Sequence, residues 1–219
     1  MTVTPIQGSP KEITQRITLH NVSWQTYKSL LADLGDRRAS RLAYDQGVLE
    51  ITMPSDLHEI SKHLLERIVI TLTEELNLRV RGVGSVTLDR EDLQKGAEPD
   101  AGFYIQNARR IRGRRIDLST DPPPDLVIEV DITSPSTQRQ HIYKRLGIPE
   151  VWLCTQSGVQ IFQLQNEEYA FCEYSLAFPI LTAAAINHFL QQGETMEDDN
   201  AMIRELRIWV REQLQSQPN

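Results

Sequence analysis

Two periods of hydrophobicity run through this chain. From Asp125 to Ile132 the odd positions are Asp125, Val127, Glu129 and Asp131, and the even ones are Leu126, Ile128, Val130 and Ile132. That alternation predicts a strand with one apolar and one acidic face. Shorter runs rich in β-branched and aromatic residues predict strands over Ile17 to Val22, Leu78 to Val83, Ser85 to Leu88, Gly102 to Ile105, Val151 to Thr155, Val159 to Leu164 and Tyr169 to Tyr174. Arg41 to Met53 reads as a hairpin turning at Gln46-Gly47.

The helical period takes over elsewhere. Ser23 can cap a helix that reaches Leu34. Asp56-Leu57-His58-Glu59 has the form of a capping box, opening a long helix with Leu57, Ile60, Leu64, Ile68, Leu72 and Leu76 on one stripe. Further helices are predicted over Thr137 to Leu146, Leu181 to Gln191 and Asp198 to Leu214. In the last, Glu197, Asp198 and Asp199 suit the positive end of the helix dipole, and Ile203, Leu206, Val210 and Leu214 form a stripe for the chain's own core or for another subunit. The order strand, helix, strand around Glu129, Tyr143 and Trp152 implies a parallel pair. The pattern as a whole predicts one α/β domain over residues 1–219, a mixed sheet flanked by helices, with the helices at about 181–214 included.

Composition agrees: 219 residues, 40% hydrophobic and 24% charged, suffice for one substantial core. MTVTPIQGSPKE lacks the basic-then-apolar pattern of a signal peptide, and no apolar run approaches the ~18 residues of a membrane span, so a cytoplasmic protein is expected. Cys154 and Cys172 fall in predicted strands and read as reduced core residues. A net charge of −7 argues against a protein that coats nucleic acid nonspecifically. The local exception is Arg109-Arg110-Ile111-Arg112-Gly113-Arg114-Arg115, whose arginines could bind phosphates beside the acidic strands, or could be solvated or paired with acids of a partner subunit.

Candidate chemistry centres on the acids. Glu98-Pro99-Asp100 precedes an apolar stretch, which sets Asp100 at a strand start with Glu98 on the same face; Pro99 suits such a margin. If that strand neighbours the one at 125–132, Asp100 and Glu129 face each other, and their repulsion favours a bound cation or a raised pKa. Two strand residues span roughly 6.6 Å, so Glu129 and Asp131 could reach one ion, whereas Asp125, roughly 13 Å from Glu129, should hold the strand entrance. All-oxygen ligation selects magnesium or manganese over zinc, since no Cys or His lies nearby in sequence. His58 and His63, five apart, diverge by about 140° on a helix and form no zinc pair. Glu59 reads first as a helix cap, Tyr143 and Trp152 as packing residues, and no Gly-x-Ser-x-Gly elbow occurs.

Pro99-Asp100, followed by Glu129 on another predicted strand, resembles the PD…(D/E)xK nuclease superfamily. The segments EPDAGFYIQN at 98–107, PPPDLVIEVDITSPS at 122–136, YKRLGIPEVW at 143–152 and YDQGVLEITMPSDLHE at 44–59 make the chain similar to the Uma-two family of restriction-endonuclease-like proteins, also called domain of unknown function 820. The resemblance implies a restriction-endonuclease-like fold, a magnesium- or manganese-dependent endonuclease acting on DNA, and a homodimer or higher homo-oligomer. It implies Asp100 and Glu129 as metal ligands, the carbonyl of Val130 as a third and Glu59 as a candidate accessory acid; the strand faces add Glu98 and Asp131 as further accessory candidates.

The superfamily lysine is missing: Asp131 stands two residues after Glu129, and Arg139 stands where family members carry Lys, four residues before the Tyr of the YxxxG(V/I)PE segment. Arginine stays protonated, so Arg139 would neutralise developing phosphate charge or orient a water but would not act as a base. Lys144 is rotated about 140° from its helix face. The missing lysine leaves two other readings open, a catalytically weakened module that binds nucleic acid or a protein partner and a scaffold whose acids are merely solvated.

Overall fold

The computed structural model describes residues 15–35, 39–111, 116–132, 137–195 and 198–216. In chain order the elements are β1 (Gln15–Leu19), α1 (Trp24–Leu34), β2 (Arg41–Asp45), β3 (Val48–Met53), α2 (Asp56–Glu75), β4 (Arg81–Gly82), β5 (Leu88–Arg90), β6 (Lys95–Ala97), β7 (Ala101–Tyr104), β8 (Leu126–Val130), α3 (Thr137–Leu146), β9 (Glu150–Thr155), β10 (Gly158–Gln165), β11 (Glu168–Cys172), α4 (Ala183–Thr195) and α5 (Asp199–Ser216). Instead of one central sheet there are two. The first runs β1-β3-β2-β6-β5 and is antiparallel throughout, and the second runs β11-β10-β9-β8-β7-β4 and is mixed, with β8 and β9 as its parallel pair.

Local chemistry explains the hairpin and the first helix. Gln46 and Gly47 both take positive φ, 44° and 101°, the conformation a two-residue hairpin needs to match strand twist. The hydroxyl of Ser23 accepts from the N–H of Thr26, satisfying one orphan donor of α1. At α2 the cap is Ser55, which accepts from His58 N–H, rather than Asp56. The buried stripe of α2 also differs from the one expected: Leu57 and Ile60 are exposed, while His58 and Ser61 continue the face of Leu65, Ile68 and Leu72 toward the sheet. One end of the core-facing stripe is therefore polar.

Strand β8 is buried on both faces. Leu126, Ile128 and Val130 lie in the main core with α2, α4 and α5, and Val127 lies in a second core with Tyr143 and Leu146 of α3. The acidic face expected for this strand thus lies beneath a helix, not in water. Helix α5 buries Met202, Ile203, Leu206 and Val210 in its own chain's core. The first sheet has a similar division of faces. Leu42, Tyr44 and Leu49 face α1, while Glu50 and Thr52 point to the other side, toward α3 and the second sheet.

One close approach fixes α1 on its sheet. A Cβ at Gly96 would lie 2.4 Å from the hydroxyl of Tyr27 and 2.9 Å from Cβ of Asp89, and Tyr27 is fully buried and stacked on Tyr44 with ring centroids 5.0 Å apart. Gly96→Ala should therefore cost about 1–3 kcal/mol through overpacking, measured as a lower urea midpoint with an unchanged slope. An unaltered midpoint would show that the Tyr27 contact yields freely.

Candidate functional site

The chain passes from the first sheet to the second through only three residues, Glu98-Pro99-Asp100, between β6 and β7. Glu98 stays bound to the first sheet: its N–H donates to Leu42 O at 3.1 Å, its Oε2 accepts from Leu42 N–H at 2.8 Å, and its Oε1 accepts from Thr87 Oγ1 at 2.7 Å. Pro99, which has no N–H to offer, stands where the ladder ends. Asp100 belongs to the second sheet. The register Ala101↔Ile128 sets it opposite Glu129, its Oδ2 accepts from Val130 N–H at 2.8 Å, and His58 Nε2 lies 3.0 Å from the same oxygen.

Glu129 is held from α3. Arg139 Nη1 donates to Glu129 Oε2 at 3.0 Å, and Tyr143, one helical turn further on, donates its hydroxyl to Glu129 Oε1. The same guanidinium donates from Nη1 to Glu98 O at 3.2 Å, from Nε to Glu50 Oε1 at 3.2 Å and from Nη2 to Thr52 Oγ1 at 3.2 Å. Arg16 of β1 extends the network, with Nη2 3.1 Å from Asp131 Oδ2 and Nε 3.4 Å from Glu50 Oε2. Asp100, Glu129, Glu50 and Arg139 are each no more than 5% exposed.

Burial drives the Glu129 carboxyl up to about 7, the charge of Asp100 adds to the rise, and Arg139 and Tyr143 offset only part of it. Burial opposes ionisation of Asp100 as well, but the hydrogen bond and charge of His58, then Arg139 and the Val130 N–H, hold it below its ordinary 3.8. Burial disfavours a charged His58, and Asp100, Glu59 and Glu129 outweigh that and raise the imidazole above 6.5. Two facing acids with pKa values driven apart are suited to different roles in one site.

Most of the acids expected at the site are accounted for separately. Asp125 accepts from Ile105 N–H, Asn107 N–H and Asn107 Nδ2, at the strand entrance and apart from the cluster. Glu98, expected on the face of Asp100, is committed to the backbone of β2. Glu59 has a half-exposed side chain near His58 and Lys62, outside the network. Asp131 pairs with Arg16 rather than sharing an ion-binding position with Glu129. Tyr143 departs from the packing role expected of it, since its hydroxyl touches Glu129. Lys144 points away, to Glu168. Arg109 and Arg110 lie within the turn at 106–110, where Arg110 Nη1 donates to Asn107 Oδ1, and Arg112, Arg114 and Arg115 lie outside the described residues. Both cysteines are free, and burial pushes the Cys154 thiol up to about 12.

Glu50, Thr52 and Arg16 are the members that sequence reasoning missed, and His58 was weighed only as a partner for His63. The signal for Glu50 was present: an acid inside the apolar run Val48 to Met53, the same irregularity that marked Glu129. Among the described residues no three His, Cys, Asp or Glu side chains form a metal cage. Asp100 and Glu129, facing each other across the strand pair, instead offer oxygen donors only. That set fits a hard ion that keeps several waters, and an ionised carboxylate retains acceptor sites beyond the bonds it already makes.

Among the described residues, two sheets and five helices form an α/β protein of restriction-endonuclease-like fold. A family model described as "Putative restriction endonuclease", Uma2, matches residues 24–197, and the chain belongs to that family. Its fold is similar to the crystal structure of a "putative nuclease belonging to DUF820" from Anabaena variabilis ATCC 29413, with a TM-score of 0.52 and 14% identity over 77% of this chain and 99% of that one. No curated protein matches the chain. No helix among the described residues is long and apolar enough to cross a membrane.

The pKa directions give a pH dependence for the metal-free protein. Glu129, raised from 4.5 to about 7, keeps a proton in the fold that the unfolded chain has released, so its contribution falls as pH rises from 4.5 to 7. His58, raised above 6.5, contributes stability that is complete below 6.5 and is lost as pH rises through its folded value. Asp100, lowered, contributes above 3.8 and loses stability only as pH falls through its folded value. Melting temperature in chelator should therefore drop from pH 5 to pH 8, and Glu129→Gln should flatten most of that slope. A slope equally steep in Glu129→Gln would remove this residue as its source.

Proposed function

We propose that this protein is a divalent-metal-dependent endonuclease that hydrolyses phosphodiester bonds of DNA. The observation that carries the reading is the juxtaposition of Asp100 and Glu129 across the β7–β8 register, in an all-oxygen buried site, within a chain of the restriction-endonuclease family. Asp100, Glu129 and the carbonyl of Val130 would hold magnesium or manganese. When bound, that ion supplies a Lewis acid that lowers the pKa of a water and polarises the phosphate.

The chain's own groups prepare the ligands. His58 and the Val130 N–H fix one oxygen of Asp100 and favour its ionised form. Tyr143 and Arg139 each hold one oxygen of Glu129, so its carboxylate plane is set before any ion arrives. Arg139, with four hydrogen bonds to protein acceptors, acts in this reading as a positioning residue for Glu129 rather than as a direct contact to phosphate. Arg109 and Arg110 are candidate contacts to the DNA backbone, which would fix register without reading sequence.

Arg139's internal commitment also favours a second reading, a nuclease-fold module that binds nucleic acid or a protein without cleaving. Divalent-ion titrations with cleavage of duplex and single-stranded DNA and of RNA separate the two. DNA cleavage that requires magnesium or manganese supports the enzyme, and binding with no cleavage under any ion supports the module.

Two variants test the ligand set. Magnesium or manganese should raise the melting temperature of the wild type, because an ion relieves the repulsion between the acids, and Glu129→Ala should abolish that rise. A shift that persists undiminished in Glu129→Ala would place the ion elsewhere.

Arg139→Ala strands buried acids and should cost about 3–5 kcal/mol without metal. Part of that loss should return with magnesium, giving a larger metal-induced shift than in the wild type. Arg139→Lys keeps the charge with fewer donors and should fall between the two, while restoring the residue type common in the family; its cleavage should equal or exceed that of the wild type. Arg139→Ala that melts with the wild type in chelator would show that the guanidinium does not hold the cluster.

A further inference from the structure

A row of three residues crosses the first sheet on the side that faces the acids. Thr52 of β3 is flanked by Arg16 of β1 and by Arg41 of β2 in the pairings Arg16↔Thr52 and Arg41↔Thr52. Directly opposed residues of antiparallel strands stand with Cβ atoms about 5 Å apart on the same face. Thr52 is the residue whose hydroxyl receives Arg139, so Arg41 is one strand away from the centre of the network. On its other side, β2 pairs with β6 at Ala43↔Ala97, and the pairing continues to Leu42 and Glu98 through the bonds described above. Arg41 is the residue before that last contact, at the start of β2, where the chain of Glu98-Pro99-Asp100 leaves the first sheet.

The neighbouring arginines have protein acids for partners, Arg16 with Glu50 and Asp131, and Arg139 with Glu50 and Glu129. Arg41 differs: its Nε is buried and meets no acceptor among the described residues, and no acid among them pairs with its guanidinium. A buried N–H without a protein acceptor is costly, and the donor is left available to an oxygen from outside the chain, such as a water, an ion or a ligand. A guanidinium is also the side chain whose planar fork best matches two oxygens of one phosphate.

We propose that Arg41 is a phosphate-binding residue of this site, gripping a backbone phosphodiester next to the Asp100–Glu129 pair. The assignment rests on the nuclease reading and adds a substrate contact to it. The row explains why a side chain from a different sheet is in place: the crossing at Glu98-Pro99-Asp100 brings the edge of the first sheet alongside the acids of the second. Arg41 then supplies the positive charge toward substrate that Arg139, committed internally, does not.

The test is equilibrium binding of a fluorescein-labelled DNA duplex of about 20 base pairs to wild type, Arg41→Gln and Arg41→Lys in chelator over a range of salt, with melting temperatures measured alongside. Arg41→Gln should weaken binding about 10-fold at low salt, and its slope of log K against log salt should be shallower by about 0.9, the loss of one phosphate contact. Arg41→Lys should keep the wild-type slope and lose only part of the affinity. Because the guanidinium has no acid partner in the fold, Arg41→Gln should melt at or above the wild-type temperature. A wild-type slope in Arg41→Gln overturns the assignment while the nuclease reading stands, and so does a melting temperature lowered as far as that of Arg139→Ala, which would make Arg41 a structural residue. A wild type that neither binds nor cleaves DNA overturns both.

Discussion

The guanidinium of Arg139 is the interaction on which the rest of this structure depends. It reaches Glu50 and Thr52 on the first sheet, the carbonyl of Glu98 at the crossing, and Glu129 on the second sheet. Buried ions are unfavourable in isolation, and a buried cation among acids is tolerated only when its hydrogen bonds are well made. Arginine meets that demand better than lysine because its donors are spread over a rigid fork. Arginine at this position therefore suits a role in assembly. Its side chain joins the two sheets beside the three-residue connection between β6 and β7.

The electrostatic asymmetry of the two facing acids follows from that geometry. Asp100 receives a backbone N–H and an imidazole, both of which favour the anion, and it sits below its ordinary range. Glu129 receives a guanidinium and a phenol, but it is enclosed beneath α3 and faces Asp100, so burial and like charge prevail. A divalent ion between them would reverse the balance at Glu129, since a nearby cation favours the ionised carboxylate. Ion binding and proton release would then be a single coupled event.

Much of this was legible in the sequence where the signal was local. The alternation from Asp125 to Ile132, the helix at 137–146, the Gln46-Gly47 hairpin and the Ser23 cap all depend on neighbours a few residues away, and the structure has them. The signals that failed are those set by distant pairing. Lys95-Gly96-Ala97 has no strand pattern of its own and becomes β6 because β2 and β5 flank it. Leu57 and Ile60 fit a helical stripe, yet the crossing segment needs His58 on the inward face at that end of α2, and the two apolar side chains turn outward. At the site, the motif residues Asp100 and Glu129 could be singled out as odd acids in apolar runs. Glu50 met the same criterion, but only the folded topology shows that it meets Arg139 of α3.

The division of faces in the first sheet ties these points together. One face of β2 and β3 is a hydrophobic seat for α1, built on Leu42, Tyr44 and Leu49, and it requires side chains to alternate strictly. Alternation then forces Arg41, Glu50 and Thr52 onto the opposite face, against α3 and the acids of β8. The packing of α1 thus determines which polar groups the site receives, and a slip of one residue in the β2–β3 register would turn one of the two strands over, burying either Arg41 or Glu50 under α1 and taking a polar partner from the cluster. Two independent requirements, an apolar seat and a polar network, are met by the same strand pair. The constraint that holds the fold together is for that reason also the one that positions the candidate chemistry.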